Sequence, residues 1–144
     1  MNGSHCILWI DHEKAKLMFV DKGEPISIAI SSPHAHAQGN IHHKAGVLGS
    51  GKSALDGEFV RQIERHLVNC REFIVVGPGT AKLEFIRHVH RHASVLDDRL
   101  VGVETLDHVS DGQLADFARA YFRRYDRLHA SNEDVLAGHA AHRQ

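Results

Sequence analysis

Hydrophobic residues fall into short, regularly interrupted runs over the first thirty positions of the chain. Residues 5–11 form an almost continuous apolar run, 15–20 form a second, and 25–31 place an isoleucine at every other position. Turn-forming residues separate these runs at 11–14 and 21–24. Short runs of this kind between turn clusters are typical of β-strands. The pattern therefore predicts a three-stranded antiparallel meander.

The spacing of apolar residues changes after residue 54. Leu55, Phe59, Ile63 and Leu67 recur every four positions, which predicts an amphipathic helix. A short apolar strand at 72–76 follows, then a helix capped by Thr80, a strand at 100–106 and a long helix capped by Asp111. The predicted core stripes of the last two helices are Leu83, Ile86, Val89 and His90, and Leu114, Phe117, Ala118, Tyr121, Tyr125 and Leu128.

The order of these elements is β-β-β-α-β-α-β-α. It predicts an α/β fold with a mixed five-stranded sheet and helices on its faces, which is the order of the ribonuclease H-like architecture. With 144 residues the chain has room for one domain, which we place at 1–129. The polar, weakly patterned residues 130–144 are predicted to be a loosely ordered tail.

Composition narrows the classes of function. The chain has no apolar run long enough to span a membrane and no basic leader, so we expect a cytoplasmic protein. Cys6 and Cys70 lie in apolar runs and are expected to be buried thiols. The net charge is −1, yet residues 31–55 contain no Asp or Glu. The same stretch holds His34, His36, His42, His43, Lys44 and Lys52.

The stretch 46–53, GVLGSGKS, fits the phosphate-loop pattern G-x-x-x-x-G-K-[ST]. A working phosphate loop follows directly on a buried strand, so that the loop amides and the helix N-terminus converge on phosphate. Residues 39–45 show no strand pattern. We therefore expect no bound nucleotide and no other cofactor.

The sequence contains parts of a nuclease site and of a zinc site, and both are incomplete. A two-magnesium nuclease of this fold would use Asp11 with Glu58 or Glu64 as metal ligands. The fourth strand supplies no third carboxylate. Asp11 is equally well explained as a turn residue. The four histidines of 34–43 could bind zinc, but no Cys or carboxylate accompanies them. We therefore predict neither a metal site nor a catalytic residue.

The segment 73–85, FIVVGPGTAKLEF, resembles a strand–turn–helix segment in the central domain of Pelota, a paralogue of eukaryotic-type peptide-chain release factors. The matching motif residues are Gly77, Pro78, Gly79, Lys82 and Phe85. The chain from about 5 to 126 also resembles a family of small bacterial proteins described as translational machinery proteins, through WIDH at 9–12 and VGVETLDH at 101–108. The resemblance implies a ribonuclease H-like fold.

The resemblance also bears on activity. Peptide-releasing members carry Gly-Gly-Gln followed by Ser-Ala in the long loop before the first helix, where this chain has Ser50, Gly51 and Lys52. Only Gly51 matches, which argues against release activity, whereas Pelota-like members lack the triplet and keep a basic loop. The resemblance therefore implies a non-catalytic protein that associates with the ribosome or structured RNA and is related to termination and rescue factors. The candidate contacts are His42, His43, Lys44, Gly49, Gly51 and Lys52.

Two alternatives stay open on the sequence. One is a hydrolase that acts on peptidyl-tRNA or a phosphodiester, and the other is a protein–protein module that binds no RNA. Salt-dependent binding of RNA would separate an RNA partner from a protein partner. Arginines of the last two helices could extend the basic surface of the loop, or each could lie on an ordinary solvated helix face. The arginines considered for it are Arg87, Arg91, Arg119, Arg123, Arg124 and Arg127.

Overall fold

The five predicted strands form one mixed sheet in the computed structural model, which describes residues 4–21, 23–33 and 55–143, with side chains as far as residue 129. The strands are β1 (His5–Ile10), β2 (Lys14–Phe19), β3 (Ile26–Ser31), β4 (Glu72–Gly77) and β5 (Leu100–Thr105). Their order across the sheet is β3-β2-β1-β4-β5. The first three pair antiparallel, while β4 and β5 extend the sheet in parallel with β1. The predicted fold class is confirmed.

In the described part of the chain, four helices cover the sheet. They are α1 (Gly57–Leu67), α2 (Ala81–His92), α3 (Ser94–Asp97) and α4 (Asp111–Arg143). The sequence did not predict α3, because four residues are too few to show a helical period. Since α4 continues to Arg143, the boundary predicted at 129 falls inside a helix; how loosely the last residues are held stays a prediction. Among the described helices, none combines the length and apolar character needed to cross a membrane.

The sheet buries both of its faces, and β1 shows why its sequence is so apolar. Cys6, Leu8 and Ile10 pack on one side with α1 and α2, while Ile7 and Trp9 pack on the other side with α4. A strand that is covered on both faces needs apolar residues at consecutive positions. The continuous run at 5–11 is therefore the pattern of a central strand.

The burial of α2 differs from the predicted stripe. Its buried residues are Ala81, Lys82, Phe85 and Val89, whereas Leu83 is 46% exposed. Phe85 and Val89 are one turn apart and set the rotation of the helix, which turns Leu83 away from the sheet. Thr80 is the N-cap residue of α2, as predicted, but its side chain makes no capping hydrogen bond.

The start of α4 lies one residue away from its predicted cap. The Gln113 amide donates to Ser110 Oγ at 3.1 Å, and the Ser110 amide donates to Gln113 Oε1 at 2.9 Å. This reciprocal pair is a capping box with Ser110, not Asp111, as the cap. Farther along the helix, Leu128 is 66% exposed and does not belong to the core.

The two cysteines also correct an expectation. Cys6 on β1 and Cys70, just before β4, are joined as a disulfide, with their Cα atoms 6.3 Å apart. That separation lies within the usual range for disulfide-bonded residues. Both residues are fully buried, as expected, but they are not separate thiols. The two cysteines are 64 positions apart in the sequence, so no local pattern indicates that they are in contact.

Candidate functional site

The carboxyl ends of the three parallel strands meet at one edge of the sheet, which we call the carboxyl edge. Asp11 and His12 follow β1, the Gly77-Pro78-Gly79 turn ends β4, and Asp107 and His108 follow β5. In open α/β sheets, ligands bind in the crevice beyond the carboxyl ends of the strands. The position of the Gly-Pro-Gly turn therefore makes this edge the candidate functional site.

Gly77 is required by the close packing of β1 against β4. A Cβ atom at this position would lie 2.2 Å from the Ile10 carbonyl oxygen. The Gly77 carbonyl in turn accepts a hydrogen bond of 3.0 Å from the Leu106 amide, just beyond β5. Gly77 thus contacts all three parallel strands at the edge. It has no side chain because a Cβ atom would collide with the backbone of β1.

Gly79 has no comparable constraint. A Cβ atom there would meet nothing within 4 Å, and among described residues only Gly23 has a positive φ. Pro78 and Gly79 are both exposed. These two residues are therefore the part of the motif that faces outward.

Lys82 and Phe85 connect the turn to α2 and to the core. Phe85 is fully buried between α2 and the sheet. Lys82 is only 7% exposed, and its ammonium donates to the Gly79 carbonyl. A buried lysine needs such a partner, because the uncompensated charge would be costly away from water. Lys82 therefore fixes the turn against the first turn of the helix; whether the motif binds a ligand stays a prediction.

Asp11 closes the turn between β1 and β2. Its Oδ1 accepts hydrogen bonds of 2.8 Å from the amides of Glu13 and Lys14. Glu58 lies on the surface of α1, where a hydrogen bond from Arg61 lowers its pKa. Glu64 is 3.1 Å from His88 Nε2 on α2. Within the described ranges, Asp11 belongs to no group of three potential metal ligands.

Trp9 and His108 fasten the segment after β5 to the end of β1. The Trp9 indole N–H donates to the carbonyls of Leu106 and Asp107, at 3.2 Å each, and the His108 ring lies 4.5 Å from the Trp9 ring. Hydrogen bonds from the backbone and then the side chain of His108 lower the pKa of Asp107. The WID and LDH motifs are therefore in contact, although nearly a hundred residues separate them.

Gly102, in the same late motif, is explained by α4. A Cβ atom at this position would lie 1.9 Å from the Tyr121 hydroxyl oxygen. Burial raises the pKa of Tyr121, and the negative charge of Glu104 raises it further, while Arg124 acts in the opposite direction. Much of the late motif therefore serves the packing of β5 against α4.

A cavity of about 340 Å³ opens at the carboxyl edge on the α4 side. Its polar lining includes Lys14, Lys16, Ser31 and His108, and Trp9 forms part of its apolar wall. The Lys16 ammonium is paired with Asp111 at the start of α4. Lys14 and His108 thus add basic groups to this edge.

Residues 31–55 contain no Asp or Glu, and we call them the acid-free segment. Both of its flanks lie at the carboxyl edge. At the end of β3, Ser31 pairs with Lys14, and the Ser32 amide donates to the Glu13 carbonyl at 2.8 Å. At its other end the segment leads into α1, which finishes at the opposite edge, where the Arg71 amide donates to the Ser4 carbonyl. An eleven-residue helix is about 16 Å long, close to the length of the strands, so α1 begins at the carboxyl edge.

The predicted RNA contacts belong to this segment and lie outside the described residues. They are His42, His43, Lys44, Gly49, Gly51 and Lys52. The phosphate-loop stretch 46–53 and the four histidines of 34–43 lie outside them too. The structure therefore does not test these contacts, and they stay predictions.

The helix arginines do not form one surface. α2 packs on the same face as α1, whereas α4 packs on the opposite face, so Arg87 and Arg91 are separated from the α4 arginines by the sheet. Arg119 also has a structural role: it donates to the carbonyls of Val20 and Gly23, at 3.1 and 2.8 Å. The arginines of α2 and α4 therefore do not extend a single basic surface together, and contact of either set with RNA stays a prediction.

Comparison with solved structures gives the Pelota fold. The crystal structure of Thermoplasma acidophilum Pelota matches with a TM-score of 0.57 and 14% identity, over 80% of this chain and 31% of that protein. Archaeoglobus fulgidus Pelota gives 0.54 and 13%, over 92% and 38%. The archaeal termination factor aRF1 gives 0.48 and 15%, over 91% and 42%, a score too low to add to the assignment. At these identities the likeness is one of fold.

The chain spans about a third of the length of the two Pelota structures. No family model matches the chain, and no curated protein sequence matches it. The Gly-Pro-Gly motif was thus a better guide to the fold than overall sequence similarity, because it marks a strand–turn–helix unit whose close packing depends on particular residues.

Proposed function

We propose that this chain is a non-catalytic, cytoplasmic protein that associates with the ribosome or with structured RNA and is related to termination and rescue factors. The observation that carries the proposal is the position of the two flanks of the acid-free segment: both lie at the carboxyl edge, the same edge at which the Gly-Pro-Gly turn ends β4. Histidines and lysines within the segment give it positive charge without a compensating carboxylate. Such a segment suits contact with the RNA phosphate backbone.

Three further observations support the proposal. The Pelota-like fold agrees with the motif resemblance, which implies a role on the ribosome. The triplet Ser50-Gly51-Lys52 lacks the glutamine that the releasing members of the family use. Asp11, an acidic residue at the carboxyl edge, accepts two backbone hydrogen bonds in the turn after β1.

The test is co-sedimentation of the protein with ribosomes across a salt series. Binding should weaken as salt rises, because each neutralised phosphate releases condensed counterions. The double variant Lys44→Ala/Lys52→Ala should flatten the slope of log K against log salt by about one to two units. The matched control is Arg123→Ala/Arg127→Ala, which removes equal charge from α4 and should leave the slope unchanged.

Three outcomes would count against the proposal. Flattening by the α4 variant alone would place the contact on that helix. Salt-independent binding, or none, would favour a protein–protein module. Turnover of a peptidyl ester or a phosphodiester by the wild-type chain would make it a hydrolase. Binding should also strengthen between about pH 7.5 and pH 6, since the histidines gain charge over that range while lysines are already charged.

A further inference from the structure

At the opposite, amino edge of the sheet, three potential metal ligands from distant parts of the chain converge. His5 opens β1, Glu72 opens β4, and the two residues are direct partners in the parallel pairing. Asp126 joins them from α4, where Phe122 packs edge-on against the His5 ring with the ring centres 4.7 Å apart. One ligand atom from each of the three side chains lies within 4.8 Å of the others.

Asp21 fixes the orientation and the tautomer of the His5 ring. Its carboxylate accepts from His5 Nδ1 at 2.8 Å and from the His5 amide at 3.0 and 3.1 Å. Because a carboxylate at neutral pH can only accept, Nδ1 must carry a proton. Nε2 is then left free to present a lone pair. Metal-binding histidines are usually held this way, by a carboxylate on the other ring nitrogen.

The second ring nitrogen faces another carboxylate. His5 Nε2 lies 3.3 Å from Glu72 Oε1, so in the neutral ring a lone pair meets an anionic oxygen at contact distance. Two ligand atoms about 2.0–2.2 Å from one tetrahedral zinc ion lie roughly 3.4 Å apart, so this separation fits a shared ion. A divalent cation bound there would also use the Asp126 oxygen and would offset negative charge of the Asp21, Glu72 and Asp126 carboxylates.

No ion pair is described between the two neighbouring arginines and these carboxylates. The Arg119 guanidinium is engaged with the backbone carbonyls of Val20 and Gly23. Arg123 is exposed and lines the adjoining cavity without a described ion pair to these carboxylates. That cavity has a volume of about 340 Å³ and includes His5, Asp21 and Asp126 in its wall, so it gives an ion a route of entry.

We propose that His5, Glu72 and Asp126 bind a divalent cation of the zinc type, with Asp21 as the residue that positions the His5 ring. Imidazole nitrogen and carboxylate oxygen are both zinc ligands, and a site with three protein ligands leaves a fourth tetrahedral position open. The imidazole ligand favours zinc and its neighbours in the first transition series over Mg²⁺ or Ca²⁺, which select oxygen. The site lies at the edge opposite the proposed RNA contact and does not depend on it.

The test is zinc titration calorimetry of the full chain in a background that removes the competing imidazoles, His34→Ala/His36→Ala/His42→Ala/His43→Ala. In this background we expect one zinc ion per chain and a higher melting temperature with zinc. Asp126→Asn should weaken binding at least tenfold, since it removes one of three ligands. Mg²⁺ at the same concentration should not compete.

Asp116→Asn is the matched control. Asp116 is also exposed on α4 and carries the same charge, but it lies ten residues earlier, about 15 Å along the helix. Equal zinc affinity in the two variants would overturn the proposal, as would the loss of zinc binding in the four-histidine background. Nitrogen NMR of His5 gives a separate readout: zinc should shift Nε2 and leave Nδ1 protonated. An Nε2 that stays protonated at about pH 8 despite added zinc would show an imidazolium bridge instead of a metal site.

Discussion

Replacing Gly77 with alanine tests the packing at the centre of the carboxyl edge. The added Cβ would lie 2.2 Å from the Ile10 carbonyl oxygen, a backbone atom of the central strand. Ordinary contacts of this kind are longer by about 1 Å, so β1 and β4 would have to separate. Overpacking a core generally costs about 1–3 kcal/mol. Because the obstructing atom belongs to the backbone and cannot rotate away, we expect a loss of about 3 kcal/mol.

Gly79→Ala is the matched control, two residues away in the same turn. Nothing lies within 4 Å of its added Cβ, and its φ is not positive. The alanine restricts the unfolded chain, so this variant should be stabilised by about 0.4–1 kcal/mol. The two substitutions are chemically identical, and only the position of the Ile10 carbonyl separates their expected results.

Urea unfolding with an unchanged m value is the assay. With m near 1–3 kcal/mol/M, a 3 kcal/mol loss in Gly77→Ala lowers the midpoint by about 1–3 M. Gly79→Ala should raise the midpoint slightly. If both variants unfold within about 0.5 kcal/mol of one another, the close approach of β1 and β4 does not constrain the motif, and the structural account of Gly77 is wrong.

Three further predictions concern α4. Ser110→Ala removes the capping box and should lower the free energy of unfolding by about 0.5–2 kcal/mol in the same assay. The control is Ser94→Ala, which should cost less because no hydrogen bond of the Ser94 side chain is described. Arg119→Ala leaves the Val20 and Gly23 carbonyls without their donor and should cost about 1–3 kcal/mol, against a near-zero effect for the exposed Arg123→Ala. The pKa of Tyr121 is raised in the folded state, so its contribution to stability is complete below the unfolded pKa and is lost as pH rises through the folded pKa. Tyr121→Phe should reduce the loss of stability at alkaline pH, as followed by denaturant midpoints; an unchanged alkaline slope would rule out this contribution.

The strands were predicted well because their apolar runs follow directly from burial. β1 is covered on both faces, so nearly every residue in it must be apolar. The stripe of α1 also held, with Phe59, Ile63 and Leu67 buried. Such patterns are local, since each residue's environment depends on the face of its own element.

Several of the errors have a different origin, which is contact between elements. The rotation of α2 about its own axis depends on how Phe85 packs in the core. The spacing of apolar residues carries no information about that contact, so it placed Leu83 on the buried face. Cys6 and Cys70 meet only because β1 and β4 are adjacent. The cluster of His5, Glu72 and Asp126 was missed for the same reason, since its ligands come from three elements with no motif spacing. Strand register brings these residues together, and no local pattern encodes it.

The Cys6–Cys70 bond closes a covalent ring that contains the whole acid-free segment. A protease that cuts the chain once between residues 34 and 54 would therefore release no fragment. The two pieces would migrate as one band on a non-reducing gel and as two bands after reduction. Cleavage there would break the backbone between β3 and α1 and still keep β1 tethered to β4. A single nick in the proposed RNA-contacting segment could thus abolish binding while the two parts of the domain stay joined.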